Sequence, residues 1–168
     1  ERLPADEAAR RIRDGLDKGG AAERSMRLRI LAELGGEASL QTVVQACDDE
    51  DAGVRDAAVR ALCAWKQPEA LEPLLKIAAE TDSLTHHVLA LRACHRLLQN
   101  NPEPAGERRS EVVETAAATA RREQEKKLFT SLVVEIHDLQ VRSPRTWRVH
   151  PAGLVPGAVW TSDRDYTF

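Results

Sequence analysis

Leu40, Val43, Val44 and Cys47 occupy positions i, i+3, i+4 and i+7, the spacing that puts apolar side chains on one face of an α-helix. The same set returns 31 residues later as Leu71, Leu74, Leu75 and Ala78. A further helical stretch precedes each copy: Arg27 to Leu34 before the first, and Val54 to Trp65 before the second, with Val54, Ala58, Ala61, Leu62 and Trp65 as its stripe. A third copy is marked by its first helix, where Arg55-x-Ala57-Ala58-Val59-Arg60-Ala61-Leu62 aligns at an offset of 32 with His87-x-Leu89-Ala90-Leu91-Arg92-Ala93-Cys94. A fixed period of this length predicts helical hairpins stacked one on the next, because a single hairpin cannot bury both flanks of its apolar face.

Helix punctuation falls where the hairpins need it. Gly35-Gly36 closes one helix, Asp51-Ala52-Gly53 opens another, Gln67-Pro68 separates two, and Asp82-Ser83 is placed to cap the helix carrying Leu84 to Leu98. Pro4 to Leu16 is expected as a capping helix. After Asn100-Asn101-Pro102-Glu103-Pro104, one helix is expected from about Glu107 to Lys127. The fold class expected is mainly α: an α-α superhelix of about three to four hairpins over residues 1–127, followed by a short irregular or β segment over 128–168.

Asp51-x-x-Val54-Arg55-x-x-Ala58-x-x-Ala61-Leu62 resembles the first-helix signature of HEAT repeats, and Leu71-x-x-Leu74-Leu75 resembles the second. The resemblance covers roughly residues 20 to 122. The period near 31 is shorter than the ≈ 40–47 of HEAT and armadillo arrays, and the first unit has Arg27 and Arg29 without a preceding Asp-x-x-Val. The resemblance implies an armadillo-like scaffold that binds a protein partner. Its second helices would line a concave surface with Gln41, Gln45 and Asp48 in one unit and Glu72, Lys76 and Ala79 in the next. Gln41, Gln45, Glu72 and Lys76 are the binding residues expected.

Composition sharpens this picture. The chain has 168 residues, of which 42% are hydrophobic, 30% charged and only 4% aromatic, a balance suited to helices packed through small and aliphatic side chains. A net charge of -3 lacks the broad positive field that binding to phosphate backbones requires, so nucleic acid is not an expected partner. No apolar run approaches the roughly 20 residues needed to span a bilayer.

No chemistry-bearing motif stands out. Cys47, Cys63 and Cys94 form no Cys-x-x-Cys pair and read as buried thiols. Adjacent His86 and His87 point about 100° apart on a helix, and His87 with Cys94 supplies two ligands where a structural zinc needs four. Asp48-Asp49-Glu50-Asp51 lacks the pattern of a calcium loop and reads as a capped inter-helix loop. Arg108-Arg109 and the run from Arg121 to Lys127 read as solvated helix faces. No catalytic residue, metal site or cofactor is expected here.

The tail differs. Leu132-Val133-Val134-Glu135-Ile136-His137 and Thr146-Trp147-Arg148-Val149-His150 are rich in β-branched and aromatic residues, with Pro144, Pro151, Gly153, Pro156 and Gly157 as turn markers, and they are expected to be opening strands of a β domain. Phe129-Thr130-Ser131-Leu132, Trp147-Arg148-Val149, Gly153-Leu154-Val155, Trp160-Thr161 and Asp165-Tyr166-x-Phe168 resemble the start of the 3-keto-disaccharide hydrolase domain, a concanavalin-like β-sandwich. The resemblance implies a secreted or periplasmic carbohydrate-active protein of bacterial type, with carbohydrate bound by a domain absent here. Otherwise the cytoplasm is expected. The resemblance transfers no catalytic residue, since the sandwich is almost entirely missing, and Val133-Val134-Glu135-Ile136 stands in place of the family's Phe-Asn-Gly-Lys portion. A start at Glu1 and a stop at Tyr166-Thr167-Phe168 fit a fragment cut at both ends.

Overall fold

The computed structural model describes the backbone of residues 4–142 and the side chains of residues 4–132. Eight α-helices occur among the described residues: α1 Ala5–Asp14, α2 Ala21–Leu34, α3 Glu37–Ala46, α4 Ala52–Cys63, α5 Leu71–Glu80, α6 Leu84–Asn100, α7 Gly106–Thr119 and α8 Glu123–Arg142. The described residues contain no strand. The units are α2/α3, α4/α5 and α6/α7, with α8 as the first helix of another and α1 packed against both α2 and α3 at the opposite end. The α-α superhelix of three to four hairpins is the observed architecture.

The first helices make one layer, with α2 on α4, α4 on α6 and α6 on α8. The layer is closed by the stripes that define the repeat. Leu28 and Leu31 of α2, Ala58 and Leu62 of α4, and Leu91 and Cys94 of α6 are buried. On the second helices, Val43 and Leu74 are fully buried at the centre of their stripes, and Leu40 and Leu71 are nearly so. Trp65 is fully buried although α4 ends at Cys63, so it joins the core from the loop and not from the helical stripe.

Loops are held by side chains that reach across the repeat. The Asp51 carboxylate accepts from the N–H groups of Gly53 and Val54 at 2.8 and 3.0 Å, and Ser83 accepts from His86 N–H at 3.3 Å. Gly35 and Gly36 have φ of 74° and 87°, a region that only glycine enters readily, and they form the tight α2–α3 turn. The Arg24 guanidinium pairs with Asp49 at 2.6 Å, and Arg55 donates to the carbonyls of Asp49 and Glu50. The acidic run is therefore a capped, arginine-bridged loop.

Two expectations are corrected. The single helix expected from Glu107 to Lys127 is two helices, because Ala120 is extended (φ -61°, ψ 121°) and buried, ending α7. The strand expected at Leu132 to His137 lies in α8. The physical reason is burial: Glu125, Phe129 and Leu132 recur at i, i+4 and i+7 and are buried together, so helical packing outweighs the β preference of the Val and Ile residues beyond. The strand expected at Thr146 to His150 lies outside the described residues.

Candidate interaction face

The stripes that bury Leu40, Val43, Leu71 and Leu74 leave the opposite faces of α3 and α5 outward. Gln41 and Gln45 are one turn apart on α3, and Glu72 and Lys76 one turn apart on α5; all four are exposed. The structure brings the four together in one groove of about 620 Å³, whose apolar floor includes Leu40, Val44 and Pro73. The groove exists because α3 and α5 touch at few positions whereas the first helices α2 and α4 lie closely along each other. Asp48 and Ala79, placed on the same face by the repeat, do not line it.

A second groove of about 750 Å³ continues between α5 and α7. Glu69 and Glu72 line both grooves, so the face runs unbroken from α3 to α7. Its far wall carries Glu103, Arg108, Glu111 and Val112, which sequence reasoning missed because α7 was not separated from α8. The burial of Val113 and Ala116, spaced i and i+3, was the available signal for α7 as a third second helix. Arg108 lines the groove, whereas its neighbour Arg109 turns inward to the carbonyls of Leu98, Asn101 and Pro104.

Elsewhere the titratable groups are engaged in structural roles. His86 meets Asp56 at 2.9 Å, and Asp56 is held below the usual carboxylate range first by its hydrogen bond from Arg60 and then by His86. His87 is fully buried and points instead at the α5 terminus. Among the described residues, no group of three or more His, Cys, Asp or Glu is placed to hold a metal ion. Cys63 and Cys94 are buried, while Cys47 is half-buried, which corrects the expectation of three buried thiols. Burial pushes the thiols up, to about 12 for Cys47 and Cys94 and about 11 for Cys63, so none is an activated nucleophile at neutral pH.

Glu125 at the start of α8 is fully buried; its Oε1 accepts from Arg92 at 3.3 Å and its Oε2 lies 3.2 Å from Arg122 Nε. The second contact is a local ion pair without hydrogen-bond geometry, whereas the first ties α8 to α6.

A layer of first helices backed by second helices with an open, grooved outer face defines the class: a helical repeat superhelix. Within it, residues 11–92 match the HEAT repeats family, and this match together with the all-helical stack supports a HEAT-repeat protein. No curated protein matches the chain. Among the described residues no helix is long and apolar enough to cross a membrane.

Proposed function

We propose that the chain is a non-catalytic protein-interaction scaffold and that a partner protein rests on the grooved face of α3, α5 and α7. The observation that carries this reading is the convergence of Gln41, Gln45, Glu72 and Lys76 on one groove with an apolar floor. Apolar surface supplies association energy and polar groups around it set orientation, which is the anatomy of a protein interface. Repeat scaffolds of this class often mediate protein interactions. The solenoid includes α8, since Phe129 and Leu132 belong to its core.

The alternative expectation, that the chain fronts a 3-keto-disaccharide hydrolase-like domain, loses its first block of support. Phe129-Thr130-Ser131-Leu132 is helical and packs in the stack, leaving that reading on residues from Trp147 onward.

The scaffold reading is tested by affinity capture with the full chain and with Gln45→Trp, which fills the α3–α5 groove without altering charge. A partner retained by the parent chain and lost with Gln45→Trp supports the reading. Equal capture by both places the interface elsewhere.

A further inference from the structure

We propose that the trough from α3 to α7 takes a short basic polypeptide segment bearing apolar side chains. The inference rests on the reading of this face as the binding surface and goes on to name the chemistry of what binds. Charge is its first support. The two grooves are lined by four carboxylates, Glu69, Glu72, Glu103 and Glu111, against two cations, Lys76 and Arg108.

Those carboxylates are also uncommitted. Among the described residues, acidic groups elsewhere on the stack make ion pairs, Glu7, Glu23, Glu33, Asp49, Asp56 and Glu125 among them, and none involves the four groove residues. Their charge is therefore available to a ligand, and because they stand along a concave strip of low-dielectric protein they attract cations more strongly than scattered surface acids do. Phosphate-bearing ligands are disfavoured by the same field.

The apolar part of the ligand follows from the floor. Leu40 and Val44 lie in one groove, Leu75 and Val112 in the other, with acidic Glu69 and Glu72 on the ridge between them. Neighbouring helices lie roughly 8–10 Å apart, so crossing α3, α5 and α7 spans about 20 Å. At about 3.3 Å per residue, some six extended residues cover that distance. The fitting segment carries an apolar side chain at each end and Lys or Arg between.

Fluorescence anisotropy on the full chain tests this, using as probe a fluorescein-labelled peptide of some six residues with Leu at each end and Lys between, with its Glu-for-Lys counterpart as control. The Lys probe is expected to bind, the Glu probe not. Affinity should fall at least about tenfold in Glu72→Lys/Glu111→Lys, and lowering salt should strengthen binding to the parent chain but not to this variant. All the changed residues are exposed, so circular dichroism should confirm an unchanged fold. Equal binding of both probes, no binding, or binding indifferent to the double substitution overturns the proposal. A chain that self-associates until the double substitution is made identifies a second copy as the occupant and also overturns it. The two readings separate cleanly: a partner lost with Gln45→Trp but insensitive to Glu72→Lys/Glu111→Lys leaves the scaffold standing and removes the basic ligand.

Discussion

His87 and Arg121, 34 positions apart, are joined by a hydrogen bond in which the Arg121 backbone N–H donates to His87 Nε2 at 3.2 Å. The other ring nitrogen faces the Ala78 carbonyl at 2.7 Å, and a carbonyl can only accept, so Nδ1 carries the proton and the neutral tautomer is specified from both sides. One buried side chain on α6 thus satisfies the end of α5 and the turn between α7 and α8.

Replacing His87 with Leu keeps much of the volume and leaves the buried Ala78 carbonyl and the Arg121 N–H without this partner. Each unsatisfied group costs about 1–3 kcal/mol, so His87→Leu is expected to lower stability by about 2–4 kcal/mol. Urea unfolding checks this through a lower midpoint at unchanged slope. A loss below about 1 kcal/mol would mean that the bridge is dispensable.

The buried thiols give a pH dependence with a defined sign. Their ordinary value is 9.0, and burial raises Cys94 to about 12 and Cys63 to about 11. Unfolded thiols therefore ionise first as pH rises, so stability that is full below about pH 9 is lost progressively towards the folded values. The slope per thiol is up to about 1.4 kcal/mol per pH unit. Thermal unfolding between pH 8 and 10.5 should show a shallower alkaline decline in Cys94→Ala than in the parent chain. With a disulfide-exchange reagent at pH 8, half-buried Cys47 should react first and Cys94 only at the rate of unfolding.

The α2–α3 turn admits little but glycine. With Gly35 and Gly36 both at positive φ, each substitution by Ala forces a side chain into a region that costs of order 1–3 kcal/mol. At Gly35 the added Cβ would also lie 3.3 Å from Gln67 Nε2, the tip of a flexible side chain that can move. Gly35→Ala and Gly36→Ala should therefore destabilise by similar amounts, set by the backbone. A much larger loss at Gly35 in urea unfolding would assign the cost to the contact instead.

Much of this architecture was legible in local pattern. The i, i+3, i+4, i+7 stripes mark the faces that bury Leu40, Val43, Leu71 and Leu74, and the caps at Asp51 and Ser83 and the glycine turn lie where punctuation placed them. Gln41, Gln45, Glu72 and Lys76 were placed on a shared face by the same reasoning, since whatever opposes a buried stripe on a second helix faces outward. What escaped was non-local. The break at Ala120 has no Gly or Pro to announce it and is held by His87, which sequence reading had weighed only as a repeat position and a metal ligand. With α7 unseen, Glu103 and Glu111 could not be assigned to the groove.

The helical state of α8 is the sharpest test of how burial overrides local preference. Leu132 to His137 has the composition of a strand, yet β preference spans only about 1 kcal/mol and yields to packing. Phe129 is fully buried in α8 and its ring meets His95 of α6 edge-on at 5.9 Å between centroids. Truncating it removes that contact and opens a cavity, so Phe129→Ala should cost about 3–5 kcal/mol. Were 132–137 a strand of a separate domain, the same substitution would barely change the unfolding of residues 5–119. A second substitution reads the backbone directly: Val134→Pro, in the interior of α8, should cost about 3 kcal/mol or more and reduce helical ellipticity at 222 nm, whereas an edge strand would tolerate it with no loss of helix signal.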